Sequence, residues 1–306
     1  MMATAFIHHR DCELHDPGAQ HPESPARIRA INDYLPTSDI WDRLVRHEAP
    51  LASREQLCRA HDENYIDVVF SAAPSEGYVY LDPDTCMSPH SLNAALRAAG
   101  SVIKGIDLVY TGEADNAFCS VRPCGHHAET RRAMGFCMFN NVAVGACYAK
   151  DRYAAKRIAI VDFDVHHGNG TEDIFRHDPS VLFCSTFQHP FYPGSGADTR
   201  SDHIVNVPLP AGTSGAQFRD AFEGEIVPAL NDFAPELVLV SAGFDAHEND
   251  PLAQLRLRED DYEWVTRRIR EVADNSAQGR LVSVLEGGYS IASLGSCVEA
   301  HLKAML

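Results

Sequence analysis

The sequence predicts an α/β fold in which a mostly parallel sheet is covered by helices on both faces. Apolar segments that indicate strands alternate with amphipathic segments that indicate helices along the whole chain. The strands are continuous apolar runs, which is typical of parallel strands buried on both faces. No linker, repeat or change of composition divides the 306 residues. We therefore expect one three-layer α/β/α domain over residues 1–306.

Capping residues and apolar spacing predict the helices. Pro25 can occupy the first turn of a helix. Ser53 opens one or two short helices over residues 53–70, and Ser91 is expected to N-cap a core-facing helix over 91–110. Further helices are expected over 139–149, 215–232, 259–274 and a short C-terminal segment.

Strands are predicted over 116–121, 158–166, 181–185, 236–240 and 281–285. Reactive residues follow or close four of these strands: His126 and His127, Asp162 to His166, Asp245, and Tyr289. In open α/β sheets, ligands bind beyond the carboxyl ends of the strands. We therefore expect these side chains to meet at one edge of the sheet, although they are far apart in sequence.

The stretch IAIVDFDVHHGNGT, residues 158–171, indicates a metal site. On an extended strand Asp162, Asp164 and His166 alternate with apolar residues, so all three face the same way. Two carboxylates and an imidazole are metal ligands, although this stretch alone also fits a buried, salt-bridged strand end. His167 faces the opposite way and is expected in the core or around the ligands.

Asp164 and His166 together with Asp245 would supply two oxygens and one nitrogen. Three protein ligands with one open position is the catalytic form of a zinc site. The set contains no thiolate, so its ligands would also accept Fe²⁺, Mn²⁺ or Co²⁺.

The pair His126–His127 follows Gly125 and is a candidate for proton transfer. A neutral histidine beside a metal site is a suitable general base. Asp162 could orient one histidine and Asn169 the other. A neutral amide raises a histidine pKa less than a carboxylate does, so the Asn169 partner would remain a usable base near pH 7. In isolation the pair also fits an ordinary surface loop.

Tyr289 follows Gly287 and Gly288 at a strand end. A tyrosine on such a turn can bring its hydroxyl to a polarised carbonyl and donate to the developing oxyanion. The alternative is a tyrosine that packs at the rim of the core.

The composition limits the kinds of binding partner that we expect. A formal net charge of −17 argues against nucleic acid as a direct partner and is compatible with a cationic substrate. No apolar run approaches the roughly 18 residues that span a membrane, and the N-terminus does not resemble a signal peptide. We expect a cytoplasmic protein without membrane contact. The nine cysteines are scattered, so no disulfide framework is expected.

Six motifs carry a family resemblance when taken together: RPCGHHAE, GFCMFNN, DFDVHHGNGT, FYPGSG, SAGFDAHENDP and LEGGY. With HPESPARI near the N-terminus, they resemble the zinc-dependent histone deacetylase family over roughly residues 15–295. They are most similar to its class II branch and bacterial relatives, which include acetylpolyamine amidohydrolases. One departure is Cys124, where the family usually has proline.

The resemblance implies an arginase/deacetylase-like fold and hydrolysis of an N-acyl amine, typically acetyl-lysine. It implies these site residues: Asp164, His166 and Asp245 as zinc ligands, His127 as general base, His126 as its neighbour paired with Asp162, and Tyr289 as the transition-state tyrosine. It further implies channel walls at Gly135, Phe136 and Tyr192, and a structural K⁺ site at Asp162, Asp164, His166, Ser185 and Thr186.

The resemblance also bears on residues that sequence physics leaves open. Arg27 lies in the first turn of its predicted helix, where an exposed side chain is expected, but the family places an arginine facing inward. Leu252 stands where polyamine-preferring eukaryotic members carry a gatekeeper glutamate, which favours acyl-lysine. Asp82 and Asp84, in the long connection 74–90, could hold a substrate amide or an ammonium group.

The motifs and the resemblance suggest three candidate functions. The first is a zinc-dependent deacetylase, with acetylpolyamine amidohydrolase as its alternative substrate class. The second is a module that binds acylated ligands without hydrolysing them, and the third is an arginase-type ureohydrolase. The third needs more carboxylates for a second metal, such as a D-x-H-x-D run, but position 168 is glycine. The sequence is compatible with a homo-oligomer.

Overall fold

One eight-stranded parallel sheet runs through the molecule in the computed structural model, which describes residues 3–306. Its strand order is β2-β1-β5-β10-β9-β6-β7-β8, and every neighbouring pair is parallel. The ten strands are β1 (Thr4–His8), β2 (Leu44–Glu48), β3 (Val79–Asp82), β4 (Thr85–Met87), β5 (Asn116–Ser120), β6 (Ile158–Asp162), β7 (Val181–Gln188), β8 (Ile204–Leu209), β9 (Leu237–Ala242) and β10 (Leu281–Leu285).

Helices cover both faces of the sheet. They are α1 (Asp11–Leu14), α2 (Pro25–Tyr34), α3 (Arg54–Leu57), α4 (Glu63–Ala72), α5 (Ser91–Thr111), α6 (Asn141–Tyr153), α7 (Asn169–Phe175), α8 (Gly215–Ala221), α9 (Val227–Phe233), α10 (Glu259–Ser276) and α11 (Ile291–Met305). One apolar core includes residues of α5 and α6, and a second includes residues of α2, α10 and α11. The expected three-layer arrangement is confirmed. No helix within residues 3–306 is both long and apolar enough to cross a membrane.

The predicted strands are confirmed, with one difference that matters for the site. The strand expected over 158–166 ends at Asp162, and residues 163–166 form the loop that follows. Phe163 and Val165 are nevertheless buried, as the alternation predicts. Four further features were not predicted from the sequence: β1, β2, β8 and the β3–β4 hairpin within the connection 74–90.

The helix starts are mostly where the capping residues place them. Ser53 N-caps α3 in a reciprocal capping box with Gln56. The expected N-cap at Ser91 is wrong by one position, because α5 begins at Ser91 itself and His90 is its N-cap. The Ser91 hydroxyl instead accepts a hydrogen bond from the Ser88 backbone N–H at 2.7 Å. All nine cysteines are free.

His61 connects two loops through its neutral imidazole. Its Nδ1 donates to the Glu129 carbonyl at 3.0 Å, and its Nε2 accepts from the Asn140 N–H at 2.9 Å. A proton on Nε2 would therefore face another N–H. Burial lowers the pKa of His61 from its usual 6.5 to about 4.

This burial predicts a pH-dependent stability. Because the unfolded chain binds the proton near pH 6.5 and the folded chain only near pH 4, the contribution of His61 is present above pH 6.5 and is lost as the pH falls toward 4. The slope is about 1.4 kcal/mol per pH unit. Urea unfolding between pH 7 and 4 should show a shallower dependence for His61→Gln, whereas the exposed control His177→Gln should keep the wild-type slope. Equal slopes for the two variants would contradict the prediction.

Candidate active site

The loops that follow β5, β6, β9 and β10 meet at one edge of the sheet. These strands are neighbours in the order β5-β10-β9-β6 and all are parallel, so their carboxyl ends share an edge. The loops carry the histidine pair, the D-x-H segment, Asp245 and Tyr289, respectively. The predicted convergence is confirmed.

Asp164, His166 and Asp245 form a buried cluster at this edge. Their ligand atoms all lie within 4.8 Å of one another. The Nδ1 atom of His166 lies 3.0 Å from Asp164 Oδ1 and 3.1 Å from Asp245 Oδ2. The backbone N–H of Gly287 donates to Asp164 at 2.7 Å, and the N–H of Val165 donates to Asp245 at 2.8 Å. Backbone donors thus hold both carboxylates in place.

Two glycines allow the backbone to approach these carboxylates. A Cβ atom at Gly287 would lie 2.1 Å from Asp245 Oδ2, and one at Gly243 would lie 2.2 Å from Asp164 Oδ2. Burial and the nearby Asp164 carboxylate raise the pKa of Asp245 to about 7. A cation among these ligands would offset the repulsion. The donor set and the bare backbone around it fit a single divalent metal ion such as zinc.

The histidine pair carries two different partners. His126 Nδ1 lies 2.9 Å from Asp162 Oδ2. Burial alone would lower the pKa of His126, but the carboxylates of Asp162 and Asp164 raise it well above its usual value. Burial and the neighbouring His126 and His166 lower the pKa of His127 well below its usual value. The surroundings of the pair therefore favour the protonated form of His126 and the neutral form of His127.

Hydrogen bonding assigns the tautomer of His127. The Asn169 amide donates through Nδ2 to Glu129 Oε1 at 2.9 Å, which leaves its Oδ1 facing His127 Nδ1 at 2.7 Å. His127 must then donate from Nδ1, so its Nε2 carries the free lone pair. Asn169 was predicted from the sequence, but Glu129 was not, because nothing in the local pattern shows which way the amide points.

His167 lies outside the metal cluster, as expected. It is buried, with Nε2 2.8 Å from Glu172 Oε2 and Nδ1 3.2 Å from Ser185 Oγ. Ser185 is in register with Asp162 on the neighbouring strand. The hydroxyl of Thr186 is buried and has no hydrogen-bond partner among residues 3–306. The structure therefore places Ser185 beside Asp162, and both belong to the predicted K⁺ site.

A narrow cavity of about 130 Å³ opens onto the cluster. Its lining residues are Asp84, His127, Gly135, Phe136, His166, Tyr192, Leu252 and Tyr289. The ring of Tyr192 is perpendicular to that of His127, with centroids 5.1 Å apart, and Phe136 packs edge-on to Tyr289 at 6.1 Å. All four predicted channel residues line this cavity. A larger surface groove of about 890 Å³, lined by residues such as Arg200 and His203, includes none of the predicted site residues.

The connection 74–90 supports one wall of the cavity. Asp84 Oδ1 accepts from the Gly135 N–H at 2.9 Å, and Thr85 Oγ1 accepts from the Phe136 N–H at 3.1 Å. Gly135 has a φ of 57°, and a Cβ there would lie 2.3 Å from the His127 ring. Asp84 lines the cavity, whereas Asp82 does not.

Arg27 is fully buried, so the expectation from helix physics alone is wrong and the one from family resemblance is confirmed. Its guanidinium donates to the carbonyls of Gly288 at 2.7 Å and Glu286 at 2.5 Å, and it pairs with Glu23 at 3.1 Å. It also lies 4.9 Å from the centre of the Tyr289 ring. These partners compensate the buried charge.

Glu286 is a second site residue that the sequence analysis missed. Its Oε2 accepts from the N–H groups of Gly125 at 2.6 Å and His126 at 3.2 Å, and its Oε1 accepts from Ser241 at 3.0 Å. It therefore links the tyrosine segment to the histidine pair. Only its place in the LEGGY motif hinted at this role.

A candidate metal cluster beside a histidine pair at one edge of a parallel α/β sheet is an arrangement suited to hydrolytic chemistry. Comparison with known proteins gives the family, because the histone deacetylase domain matches residues 21–305. The chain belongs to the histone deacetylase family. This membership supports a hydrolase activity of the deacetylase or amidohydrolase type.

The relatives agree with this assignment. The histone deacetylase-like amidohydrolase of Pseudomonas aeruginosa is 40% identical, over 94% of this chain and 77% of that protein. A probable deacetylase of Archaeoglobus fulgidus is 36% identical, over 95% and 82%. Against the type-2 histone deacetylase 2 of Dictyostelium discoideum, at 36% identity, the chain spans 21% of that protein's length. The crystal structure of the HDA15 HD domain superimposes with a TM-score of 0.94 at 34% identity, covering 100% of this chain and 90% of that one.

Proposed function

We propose that this protein is a zinc-dependent amidohydrolase that removes acetyl or other acyl groups from the ε-amine of lysine in proteins or peptides. The observation that supports the proposal most is the shared cavity. His127, the ligand His166 and Tyr289 all line it, so a base, a candidate metal ligand and a hydroxyl donor face the same small volume.

Asp164, His166 and Asp245 would hold the metal ion, with zinc as the proposed ion and Fe²⁺ or Co²⁺ as substitutes. When bound, the ion supplies Lewis-acid polarisation of the scissile carbonyl and acidifies the attacking water.

The chain's own residues would supply the proton transfers. His127 accepts a proton from the water through Nε2, while Asn169 holds the other ring nitrogen. The Tyr289 hydroxyl donates to the oxygen that becomes negative in the tetrahedral state. A histidine of the pair then protonates the leaving amine, so that amide and water become carboxylic acid and amine.

The cavity walls support a lysine substrate. Phe136, Tyr192 and Leu252 present apolar surface, which suits the methylene stem of an acylated lysine. Acetylpolyamine hydrolysis is the second candidate. One observation favours it, namely that the carboxylate of Asp84 lines the same cavity and could attract a polyamine ammonium group.

A structural K⁺ ion is also part of the proposal. Asp162, Asp164, His166, Ser185 and Thr186 would form its site, and the register of Ser185 with Asp162 on the neighbouring strand supports it. Comparing thermal unfolding in KCl with that in tetramethylammonium chloride tests this part separately.

The test of function is a substrate panel with the zinc-loaded protein. We expect hydrolysis of a fluorogenic acetyl-lysine peptide, and its loss with a chelator or a hydroxamate. Acetylputrescine, acetylspermidine and longer acyl-lysine peptides in the same panel rank the substrate classes. Preferred turnover of the acetylated polyamines would replace the lysine proposal. One bound zinc per chain without turnover of any acylated amine would instead indicate a binding module.

The Tyr289→Phe variant tests the proposed oxyanion donor. Removing one such donor typically lowers kcat by about 10²–10³-fold. We expect that loss with unchanged zinc content and little change in KM. Tyr262→Phe is the matched control, because the Tyr262 hydroxyl is buried but has no hydrogen-bond partner among residues 3–306. Near wild-type turnover by Tyr289→Phe would rule out this role.

A further inference from the structure

The carboxylate of Asp250 holds the backbone of the Tyr289 segment. Its Oδ2 accepts from the N–H of Tyr289 at 2.7 Å and from the N–H of Ser290 at 3.2 Å. Asp250 belongs to the SAGFDAHENDP motif, but it is neither a member of the metal cluster nor part of the cavity lining. We propose that Asp250 is a positioning residue that sets where the Tyr289 hydroxyl lies. The catalytic consequence rests on the proposed function.

The segment before Tyr289 cannot fix the tyrosine by itself. Gly287 and Gly288 have no side chains, and Gly288 has a φ of 127°, which glycine adopts far more easily than other residues. Position 287 requires glycine because its backbone lies too close to the metal-site carboxylates to leave room for a Cβ atom. The same requirement leaves two residues without side chains directly before the tyrosine, so contacts from other elements must position it.

Two buried side chains of opposite charge restrain the Tyr289 segment, one as a hydrogen-bond donor and the other as an acceptor. Arg27 donates to the carbonyls of Gly288 and Glu286, whereas Asp250 accepts from the N–H groups of Tyr289 and Ser290. Only the Asp250 contact acts on the tyrosine's own backbone. Asp250 is 7% exposed, so water cannot readily replace its carboxylate.

Asp250 also connects the tyrosine to another wall of the cavity. Its Oδ1 accepts from the N–H of Leu252 at 3.0 Å, and Leu252 lines the cavity with Tyr289. Asp250 lies in the same loop as the candidate metal ligand Asp245. One carboxylate therefore fixes the tyrosine relative to the loop that carries Asp245. Stabilising an oxyanion requires that the tyrosine hydroxyl be held at a set distance from the metal site.

The Asp250→Asn variant tests this assignment. The asparagine amide keeps one acceptor oxygen, but it places an NH₂ group where the second carboxylate oxygen of Asp250 accepts a hydrogen bond. Because small displacements of catalytic groups are costly, we expect kcat to fall about 10–100-fold. KM should stay within about twofold and zinc content should be unchanged. Asp261→Asn is the matched control: Asp261 is 5% exposed and accepts from the Arg258 N–H at 2.9 Å, outside the site. It should keep wild-type kcat.

A double-mutant cycle separates positioning from general destabilisation. If Asp250 acts through the Tyr289 hydroxyl, adding Asp250→Asn to Tyr289→Phe should cause no further loss of kcat. An equal fold-loss in both backgrounds would overturn the proposal. Asp250→Ser, with a smaller oxygen acceptor, replaces Asp250→Asn in the cycle if the asparagine variant does not fold.

Hydrogen exchange gives a readout that does not depend on activity. Peptides that cover residues 286–290 should exchange faster in Asp250→Asn than in wild type, and at the wild-type rate in Asp261→Asn. Unchanged exchange in Asp250→Asn would overturn the proposal. If the wild-type protein hydrolyses no acylated amine, the proposed function fails, but the exchange result still decides whether Asp250 holds this segment.

Discussion

Replacing Asp245 by asparagine is expected to remove the metal ion and reduce turnover to that of the chelated protein. The substitution leaves the Val165 N–H with an oxygen acceptor, so the loop keeps its backbone contact. It removes one of the two carboxylates that would neutralise a divalent cation. Metal content after dialysis, measured with turnover of the acetyl-lysine peptide, should show both losses together.

The same substitution has the opposite effect on the metal-free protein. Burial and Asp164 raise the pKa of Asp245 to about 7, so above that pH the folded state contains a disfavoured carboxylate. A neutral amide removes that cost. At pH 8, metal-free Asp245→Asn should therefore be at least as stable to urea as metal-free wild type, whereas zinc should stabilise only the wild type. Full zinc occupancy in the variant would contradict the assignment of Asp245 as a ligand.

The positions of the site residues were predictable because their signal is local. Each lies just beyond an apolar run, and parallel strands bring such ends together whatever their separation in sequence. The strand expected through His166 was wrong for a reason that belongs to the site. Beyond Asp162, the N–H groups of Asp164, Val165 and His166 bond to the carboxylates of Asp162, Asp245 and Asp164, respectively. Those contacts replace strand pairing, while the apolar residues between them remain buried.

The supporting residues could not be predicted from local sequence patterns because their partners are distant. The carbonyls that accept hydrogen bonds from the buried Arg27 lie 259 and 261 residues away in sequence. The position of Arg27 in the first turn of its helix would by itself favour an exposed side chain. Asp250 likewise acts on a backbone N–H 39 residues away. Glu129 and Glu286 are ordinary acidic residues in sequence, and only the folded chain shows that they orient an amide and a histidine segment. The sequence thus identifies groups suited to chemistry, while their restraint depends on tertiary contacts.

His127→Ala is expected to lower kcat/KM by about 10²–10⁴-fold, the range that loss of a general base covers. The structure supports this role because His127 donates from Nδ1 to Asn169, which leaves a lone pair on Nε2, and because His127 lines the cavity. Zinc content should be unchanged, since His127 is not among the cluster ligands. His301→Ala is the control for loss of a buried imidazole, because His301 bonds to Thr266 and Ser283 and does not line the cavity. It should keep kcat/KM per folded protein. Wild-type turnover by His127→Ala would exclude it as the base.

Asn169→Asp tests why the partner of His127 is neutral. Burial and the neighbouring imidazoles hold the pKa of His127 well below its usual value, so wild-type kcat/KM should lose activity only at acidic pH. A carboxylate at position 169 would favour the protonated imidazole and raise that pKa, and Glu129 beside it adds to the negative charge. The acidic limb of the pH profile should therefore lie at higher pH in the variant than in wild type, with activity recovered as the pH is raised further. An unshifted limb would show that the ionisation of His127 does not control the reaction.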